Sequence, residues 1–292
     1  MKKKNYTVSV VIPTYYGRKL LEKNFSSVLI SLRDGDEVVI VDDGGFKETL
    51  MWLKKSFKLK KSVENNDYVL YLGEYQQAKK KVEIIYVVNK TNLRFAANSN
   101  LGVKLAKNPL IFLVNDDVST YPDTIKKLAP HFKDKNVFAV GCLEFDHEHN
   151  GAKSGKNKLW FERGMFIHSR GDDFEFGPTA WASGGSAMFS RDKWLKIGGF
   201  DLAYYPAYWE DIDLSYTARK KGWKVLFNPE AKVSHNHETT NINVFKQRKI
   251  EQMSWRHANI FTWKYADIWQ KIAYLLWKPY WWVQRKRTKI KL

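Results

Sequence analysis

Leu110-Ile111-Phe112-Leu113-Val114-Asn115-Asp116-Asp117 is a run of five apolar residues that ends in an amide and two carboxylates. A run this short, apolar on every side, predicts a strand buried on both faces, as in a parallel sheet. The same design occurs twice upstream. Val8-Ser9-Val10-Val11-Ile12 leads into Pro13-Thr14-Tyr15, and Glu37-Val38-Val39-Ile40-Val41 leads into Asp42-Asp43-Gly44-Gly45. Apolar residues recur at helical spacing over 20–32 and 96–106, a further helix is expected over 47–57, and residues 82–88 read as another strand. Strands that alternate with helices predict an α/β fold around an open, mainly parallel sheet. Ligands in such sheets bind beyond the carboxyl ends of the strands. Asp and Gly are ordinary turn formers after strands, so one cluster alone decides nothing. Three polar clusters at three strand ends say more.

Downstream, the spacing predicts a helix over 123–132 and a strand over 137–140. Residues 145–178, rich in Gly, His and charge, read as a loop region near the site. A short helix follows over 193–198, then a helix over 212–221 and a strand over 223–227, with Pro229 opening a turn towards His235. Lysine-rich residues 58–81 read as a polar excursion.

The chain has 292 residues and 44% hydrophobic content, enough for one large α/β domain over 1–240 and a C-terminal helical segment over 241–292. Cys142 is the only cysteine, which excludes an internal disulfide and fits a reducing, cytoplasmic compartment. It follows an apolar run and reads as an inert core thiol. Met1-Lys2-Lys3-Lys4 resembles the basic end of a signal peptide, but the apolar run after it stops at Pro13, too short for a signal. No run approaches the ~20 apolar residues of a membrane span.

A second acidic site lies in Trp209-Glu210-Asp211-Ile212-Asp213-Leu214, followed by Val233-Ser234-His235. Two acidic sites and a histidine can hold one divalent cation, Mn²⁺ or Mg²⁺, and leave a carboxylate free as a base. The plainer reading of Glu210, Asp211 and Asp213 is that acidic residues suit a helix N-terminus. His235 and His237 share one face if their segment is a strand. Trp181 and Trp209 read either as stacking surfaces for an acceptor sugar or as core.

These segments, in this order, resemble the family 2 glycosyltransferases of the GT-A fold. The residues that carry the resemblance are Val10-Val11-Ile12-Pro13-Thr14-Tyr15, Val41-Asp42-Asp43-Gly44, Asn92 with Phe95-Ala96 and Asn100-Leu101-Gly102, and Phe112 to Asp117. Downstream they are Ile197-Gly198-Gly199-Phe200-Asp201, Glu210-Asp211-Ile212-Asp213-Leu214 with Arg219 and Gly222, and Pro229-Glu230-Ala231-Lys232-Val233-Ser234-His235. The pattern is most similar to the subgroup that builds bacterial cell-surface polysaccharides, including rhamnosyltransferase-like members. The resemblance implies a nucleoside-diphosphate-sugar donor and inversion at the anomeric carbon. Pro13, Thr14, Tyr15, Asp42, Asp43, Arg94, Asn100 and Asp116 fall on its donor side. Asp117 and His235 take the metal, Asp211 is the base, and Glu210 supports Asp211 or the acceptor. Two positions depart from the pattern. Asn115 replaces the first carboxylate of an Asp-x-Asp metal motif, and an amide binds a hard cation less strongly. Arg94 stands where relatives commonly have Gly, as a phosphate contact or as a solvated loop residue.

The net charge of +18 favours polyanions, and it is uneven. Residues 241–292 carry 12 Lys+Arg against two Asp+Glu, together with six of the twelve Trp. Residues 244–292 are expected to be helical with a break at Pro279. Interleaved Trp and Lys/Arg suit a helix lying in an anionic lipid interface, on the cytoplasmic face where a lipid-linked saccharide acceptor would be found. The competing readings are a packed helical subdomain with a solvated basic face, a nucleic-acid-binding protein, and a nucleotide-sugar fold without activity. The acidic cleft residues argue against nucleic acid, because they repel phosphates unless a cation intervenes.

Overall fold

The computed structural model describes residues 6–44, 47–78, 80–146, 151–235 and 239–288. Its centre is a mixed sheet. From one edge to the other run Gly177–Pro178, Lys224–His235, Val137–Asp146, Ser186–Ser190, Leu110–Val114, Val8–Thr14, Glu37–Asp42, Lys80–Asn89, Tyr68–Gln77 and Lys60–Glu64. Leu110–Val114, Val8–Thr14, Glu37–Asp42 and Lys80–Asn89 are mutually parallel. Lys224–His235 also runs parallel to Val137–Asp146. Every residue of the first three of these strands is buried. Alternate side chains enter different cores: Val8, Val10, Ile12, Val38 and Ile40 one, and Val11, Val39 and Val41 the other. Burial on both faces is the physical content of the unbroken apolar runs.

Four expectations change. Residues 58–81 are not an excursion but an antiparallel extension of the sheet. There Tyr68, Leu70 and Leu72 pack on one core and Tyr71 and Tyr75 on the other, a two-residue period that lysines disguise. The exposed Lys60 and Lys61 on the edge strand discourage further pairing. The region 145–178 contains a two-stranded hairpin, Asn157–Glu162 with Met165–Arg170. Pro229 opens no turn; Lys224–His235 is one strand, with a bulge between Asn228 and Lys232 that accommodates a residue lacking an N–H. Pro279 lies inside the helix Ile268–Thr288 rather than ending one. The break comes earlier, after Thr239–Tyr265. There Asp267 Oδ1 accepts from the Gln270 N–H (2.8 Å) and Gln270 Oε1 from the Asp267 N–H (3.1 Å), a reciprocal cap. Pro279 forfeits one helical bond on an exposed face, where water can serve the freed carbonyl.

A third core, largely aromatic, joins the hairpin, the helix Glu210–Lys220 and the two C-terminal helices through Phe166, Trp209, Ile212, Phe261 and Trp281, among others. The last helix packs inward through Tyr274, whose hydroxyl donates to Asn259 Oδ1 (2.6 Å), and Trp281, whose indole N–H donates to the Arg163 carbonyl (2.6 Å). Its other side presents Ile268, Trp269, Ile272, Leu275, Leu276, Trp282 and Val283, which are 39–76% exposed. Their spacing places them on one stripe. Among the described residues no helix is long and apolar enough to cross a membrane.

Candidate active site

Because the parallel strands share a direction, their carboxyl ends meet at one edge of the sheet and open a cleft of about 290 Å³. Pro13, Tyr15, Asn115, Asp116, Asp117, Glu210, Asp211 and His235 line it, together with Phe95, Ser183, Gly184, Gly185, Ala207 and Tyr208. Residues up to 222 positions apart in sequence are thereby brought together from six segments.

Asp42 and Asp43, at the end of Glu37–Asp42, are held by donors from the protein. Asp42 accepts from the Tyr86 hydroxyl (2.6 Å) and the Gly44 N–H (2.9 Å). Asp43 accepts from Asn89 Nδ2 (2.8 Å) and from the backbone N–H groups of Leu93 and Arg94 (2.7 Å each). Burial pushes the Asp43 carboxyl up, against the opposing pull of those bonds and of the Arg94 charge. Arg94 has φ +66°, a conformation that favours glycine, so its backbone matches the residue relatives place there. Its guanidinium lies 6.0 Å from the Tyr15 ring centre and donates to the Tyr205 hydroxyl (3.4 Å).

At the end of Leu110–Val114, Asp116 Oδ2 accepts from the Thr14 hydroxyl (2.6 Å), and the Asp116 carbonyl accepts from Asn24 Nδ2 (2.9 Å). Burial pushes Asp116 up to about 7, against the Thr14 bond and aided by the Asp117 and Asp42 charges. A Cβ on Gly17 would lie 2.0 Å from both Asp116 Oδ2 and Thr14 Oγ1, so this contact requires glycine there. Asp117 Oδ1 lies 3.3 Å from His235 Nε2, and Glu144 Oε2 lies 3.6 Å from His235 Nδ1. Glu144 is in turn held by the Ser154 hydroxyl (3.0 Å) and by Ser186. Burial alone would lower His235, but the two carboxylates outweigh it and hold the imidazole up at about 10. Among the described residues no group of three or more His, Cys, Asp or Glu converges as a ready-made metal cage. Asp117 and His235 are two donors.

Across the cleft, Tyr208 and Trp209 both have positive φ (+76° and +77°) immediately before the helix Glu210–Lys220. Such backbone in bulky residues costs on the order of 1–3 kcal/mol each, and persists only where the surroundings enforce it. The turn aims the first residues of the helix inward. Asp211 Oδ2 accepts from the Gly184 N–H (3.2 Å) and Oδ1 from the Ile212 N–H (2.8 Å). Glu210 is 6% exposed, and its Oε2 has no hydrogen-bond partner among the described residues. Burial first, and for Glu210 also the adjacent Asp211 charge, raises both carboxyls well above the ordinary range. Asp213 points away and accepts from the Tyr204 hydroxyl (2.8 Å) and Lys264 Nζ (2.9 Å).

Some expected site residues lie elsewhere. Asn100 donates to the Phe200 carbonyl (2.9 Å) and accepts from its N–H (2.9 Å), outside the cleft lining. Trp181 and Trp209 are buried in the aromatic core, with His168 between them at 5.3 and 5.0 Å. His237 lies outside the described residues. Sequence reasoning missed Asn89, Glu144 and Gly17. Asn89 and Glu144 sit at or near the ends of strands, where the search for polar residues after apolar runs extends naturally. Gly17 carries no such signal.

A mainly parallel sheet with a carboxylate-lined cleft at its strand ends, closed by an acidic helix N-terminus, is the GT-A glycosyltransferase arrangement. The model of "Glycosyl transferase family 2" matches residues 9–198, and the chain belongs to that family and is a glycosyltransferase. It is similar to "O-antigen chain rhamnosyltransferase RfbN" of Salmonella typhimurium, with 22% identity over 82% of this chain and 69% of that protein. A 59-residue stretch is 37% identical to "N-acetylglucosaminyl-diphospho-decaprenol L-rhamnosyltransferase" of Mycobacterium tuberculosis, covering 20% of this chain and 19% of that one. Among solved structures, the fold is similar to GalNAc-T7 with UDP, GalNAc and Mn²⁺ (TM-score 0.57, 17% identity, 80% of this chain). This chain spans 44% of that structure's length. It is also similar to mannosyltransferase PcManGT from Pyrobaculum calidifontis with GDP-Man and Mn²⁺ (TM-score 0.58, 15% identity, 94% of this chain and 74% of that one).

Proposed function

We propose that this glycosyltransferase moves a sugar from a nucleoside-diphosphate donor to a hydroxyl of a saccharide, free or lipid-linked, with inversion, in the building of a surface polysaccharide. The observation that carries the reading is the pairing, across one cleft, of Asp117 and His235 with the buried carboxylate of Glu210 and the half-buried one of Asp211. The names of the two rhamnosyltransferase relatives favour a deoxyhexose as the sugar.

Pro13 and Tyr15 line the cleft floor for the nucleoside, beside Asp42 and Asp43. Asp116, locked by Thr14, sets the geometry of that side. Asp117 and His235 are the residues to hold a divalent cation. The Asp117 carboxylate suits a hard cation, and His235 would join it on losing the proton that Asp117 and Glu144 hold on the ring. When bound, the cation supplies Lewis-acid stabilisation of the negative charge on the leaving diphosphate. Asp211 accepts the proton of the acceptor hydroxyl as its oxygen attacks the anomeric carbon. The bond from that carbon to the diphosphate oxygen breaks, releasing the nucleoside diphosphate. Its raised pKa brings the base towards the pH at which it works. Glu210, buried beside it, keeps the pair's proton affinity high.

We also place the chain at an anionic membrane surface. The reading is supported by the exposed apolar stripe of the last helix, which contains no acidic residue and is flanked by Lys271 and Lys278.

Thermal stabilisation by UDP, GDP and dTDP, each with and without Mn²⁺ or Mg²⁺, tests the donor and metal readings. Metal-dependent stabilisation by one nucleotide is the expected result and identifies the donor's nucleotide. Stabilisation equal with and without metal removes the cation from the proposal; none at all removes the donor.

A further inference from the structure

Glu210 and Asp211 face the cleft from the first helical turn, and the peptide between Tyr208 and Trp209 leads directly into that turn. That peptide's orientation sets ψ of Tyr208 and φ of Trp209. A flip of the peptide would return Trp209 from φ +77° to the ordinary right-handed side and re-aim the first turn of the helix. Neither residue is a glycine, so the local sequence favours the flip. Something must oppose it.

His257, on the helix Thr239–Tyr265, is 0% exposed, and its Nδ1 lies 3.0 Å from the Tyr208 carbonyl oxygen. A carbonyl only accepts, so Nδ1 carries the hydrogen. The other ring nitrogen, Nε2, is buried without a hydrogen-bond partner among the described residues. The ring also meets Tyr204 edge-on, at 5.7 Å. Burial lowers its pKa, and the carbonyl partner fixes the ring hydrogen on Nδ1. One face of the same helix grips the turn on either side. Ser254 Oγ accepts from the Trp209 indole N–H (3.4 Å), and the Phe261 ring lies 5.2 Å from that of Trp209. The spacing 254, 257, 261 is that of one helix face.

We infer that His257 is a positioning residue for sugar transfer: its Nδ1–H bond to the Tyr208 carbonyl locks the Tyr208–Trp209 peptide and so aims Asp211 into the cleft. The inference rests on Asp211 being the base. It assigns the helix Thr239–Tyr265 a part in the reaction although none of its described side chains lines the cleft. A histidine suits the task better than a longer donor, because its ring is rigid and fills the aromatic core while one nitrogen bonds the carbonyl.

The experiment compares His257→Leu, His257→Asn and His257→Gln in the full chain. Asn places an amide N–H near the position of Nδ1; Gln places it near Nε2. Two quantities are read: hydrogen exchange of the segment 205–214, and nucleoside diphosphate release from dTDP-, UDP- and GDP-sugars with Mn²⁺. The expected result is faster exchange confined to 205–214 in the Leu and Gln variants. Their kcat falls about 10²-fold, the scale of a misplaced reacting group, with KM for the donor unchanged. Asn restores both. Equal behaviour of Asn and Gln, or faster exchange throughout the chain in all three, overturns the inference and leaves His257 as ordinary core. If His257→Leu does not fold, the Asn–Gln comparison decides. Asp211→Asn separates the two readings: turnover at the wild-type rate in that variant removes the base, while the exchange data still report whether His257 locks the turn.

Discussion

Asp43, buried just after the strand Glu37–Asp42 and outside the cleft lining, and Asp211, half-buried within that lining, are held differently. Asp43 receives three donors from Asn89, Leu93 and Arg94. Asp211 has one bond to Gly184 and one to its own helix, and its neighbour Glu210 leaves an oxygen without a partner among the described residues. A carboxylate whose lone pairs are engaged by the protein is a fixed structural anchor. One that is half-buried and less fully engaged keeps a high proton affinity and is available to react. The two carboxylates divide along that line: an anchored one beyond a parallel strand, and a poised one on a strained turn.

The sharpest way to break the comparison is Asp211→Asn. It should lower nucleoside diphosphate release in the presence of acceptor by about 10²–10⁴-fold, the range of general-base catalysis. Its melting temperature should stay within error of wild type or rise, because a half-buried charge beside Glu210 is removed. A rate within threefold of wild type would show that another group takes the proton. Asp43→Ala should do the opposite. It strands three donors, so chemical denaturation should show a loss of roughly 2–4 kcal/mol; a loss under about 0.5 kcal/mol would mean that those bonds anchor nothing.

The pair's raised proton affinity has a signed consequence. A carboxylate whose native pKa lies above its unfolded value retains protons in the native state that the unfolded chain releases. The stability it contributes is full below about pH 4 and is lost as pH rises through the native values. Stability between pH 5 and 8 should therefore fall less steeply in Glu210→Gln than in wild type, by on the order of 1 kcal/mol. Parallel curves would place the titration elsewhere. Activity should rise over the same window, as Asp211 loses its proton. The smallest effect is expected at the surface. Trp269→Ser with Leu276→Ser should weaken binding to vesicles containing anionic lipid several-fold, leaving turnover on a soluble acceptor unchanged. These two side chains are 76% and 75% exposed and touch no core. Unaltered vesicle binding would turn the stripe into a surface for some other partner.

The arrangement of buried strands was legible because both-face burial demands unbroken apolar runs. Leu110–Val114 is read residue for residue, and Glu37–Asp42 to within one. The sheet extension over residues 60–77 was not legible, because lysines and glutamines on a half-exposed strand mask its two-residue period. Pro279 misled for a related reason. Proline's cost in a helix depends on whether the freed carbonyl can reach water, which local sequence does not state.

By itself, the sequence determined which carboxylates stand at strand ends, and so which edge of the sheet holds the cleft. That follows from chain direction and burial, both local. Only the tertiary structure decided how each carboxylate is satisfied among the described residues: three donors on Asp43, two on Asp211, none on one oxygen of Glu210. It also decided that His257, some fifty residues beyond the turn, bonds the carbonyl that aims Asp211. Hydrogen-bond partners at such separations are chosen by packing in three dimensions, and the residues that meet carry no mark of the meeting in their own neighbourhood.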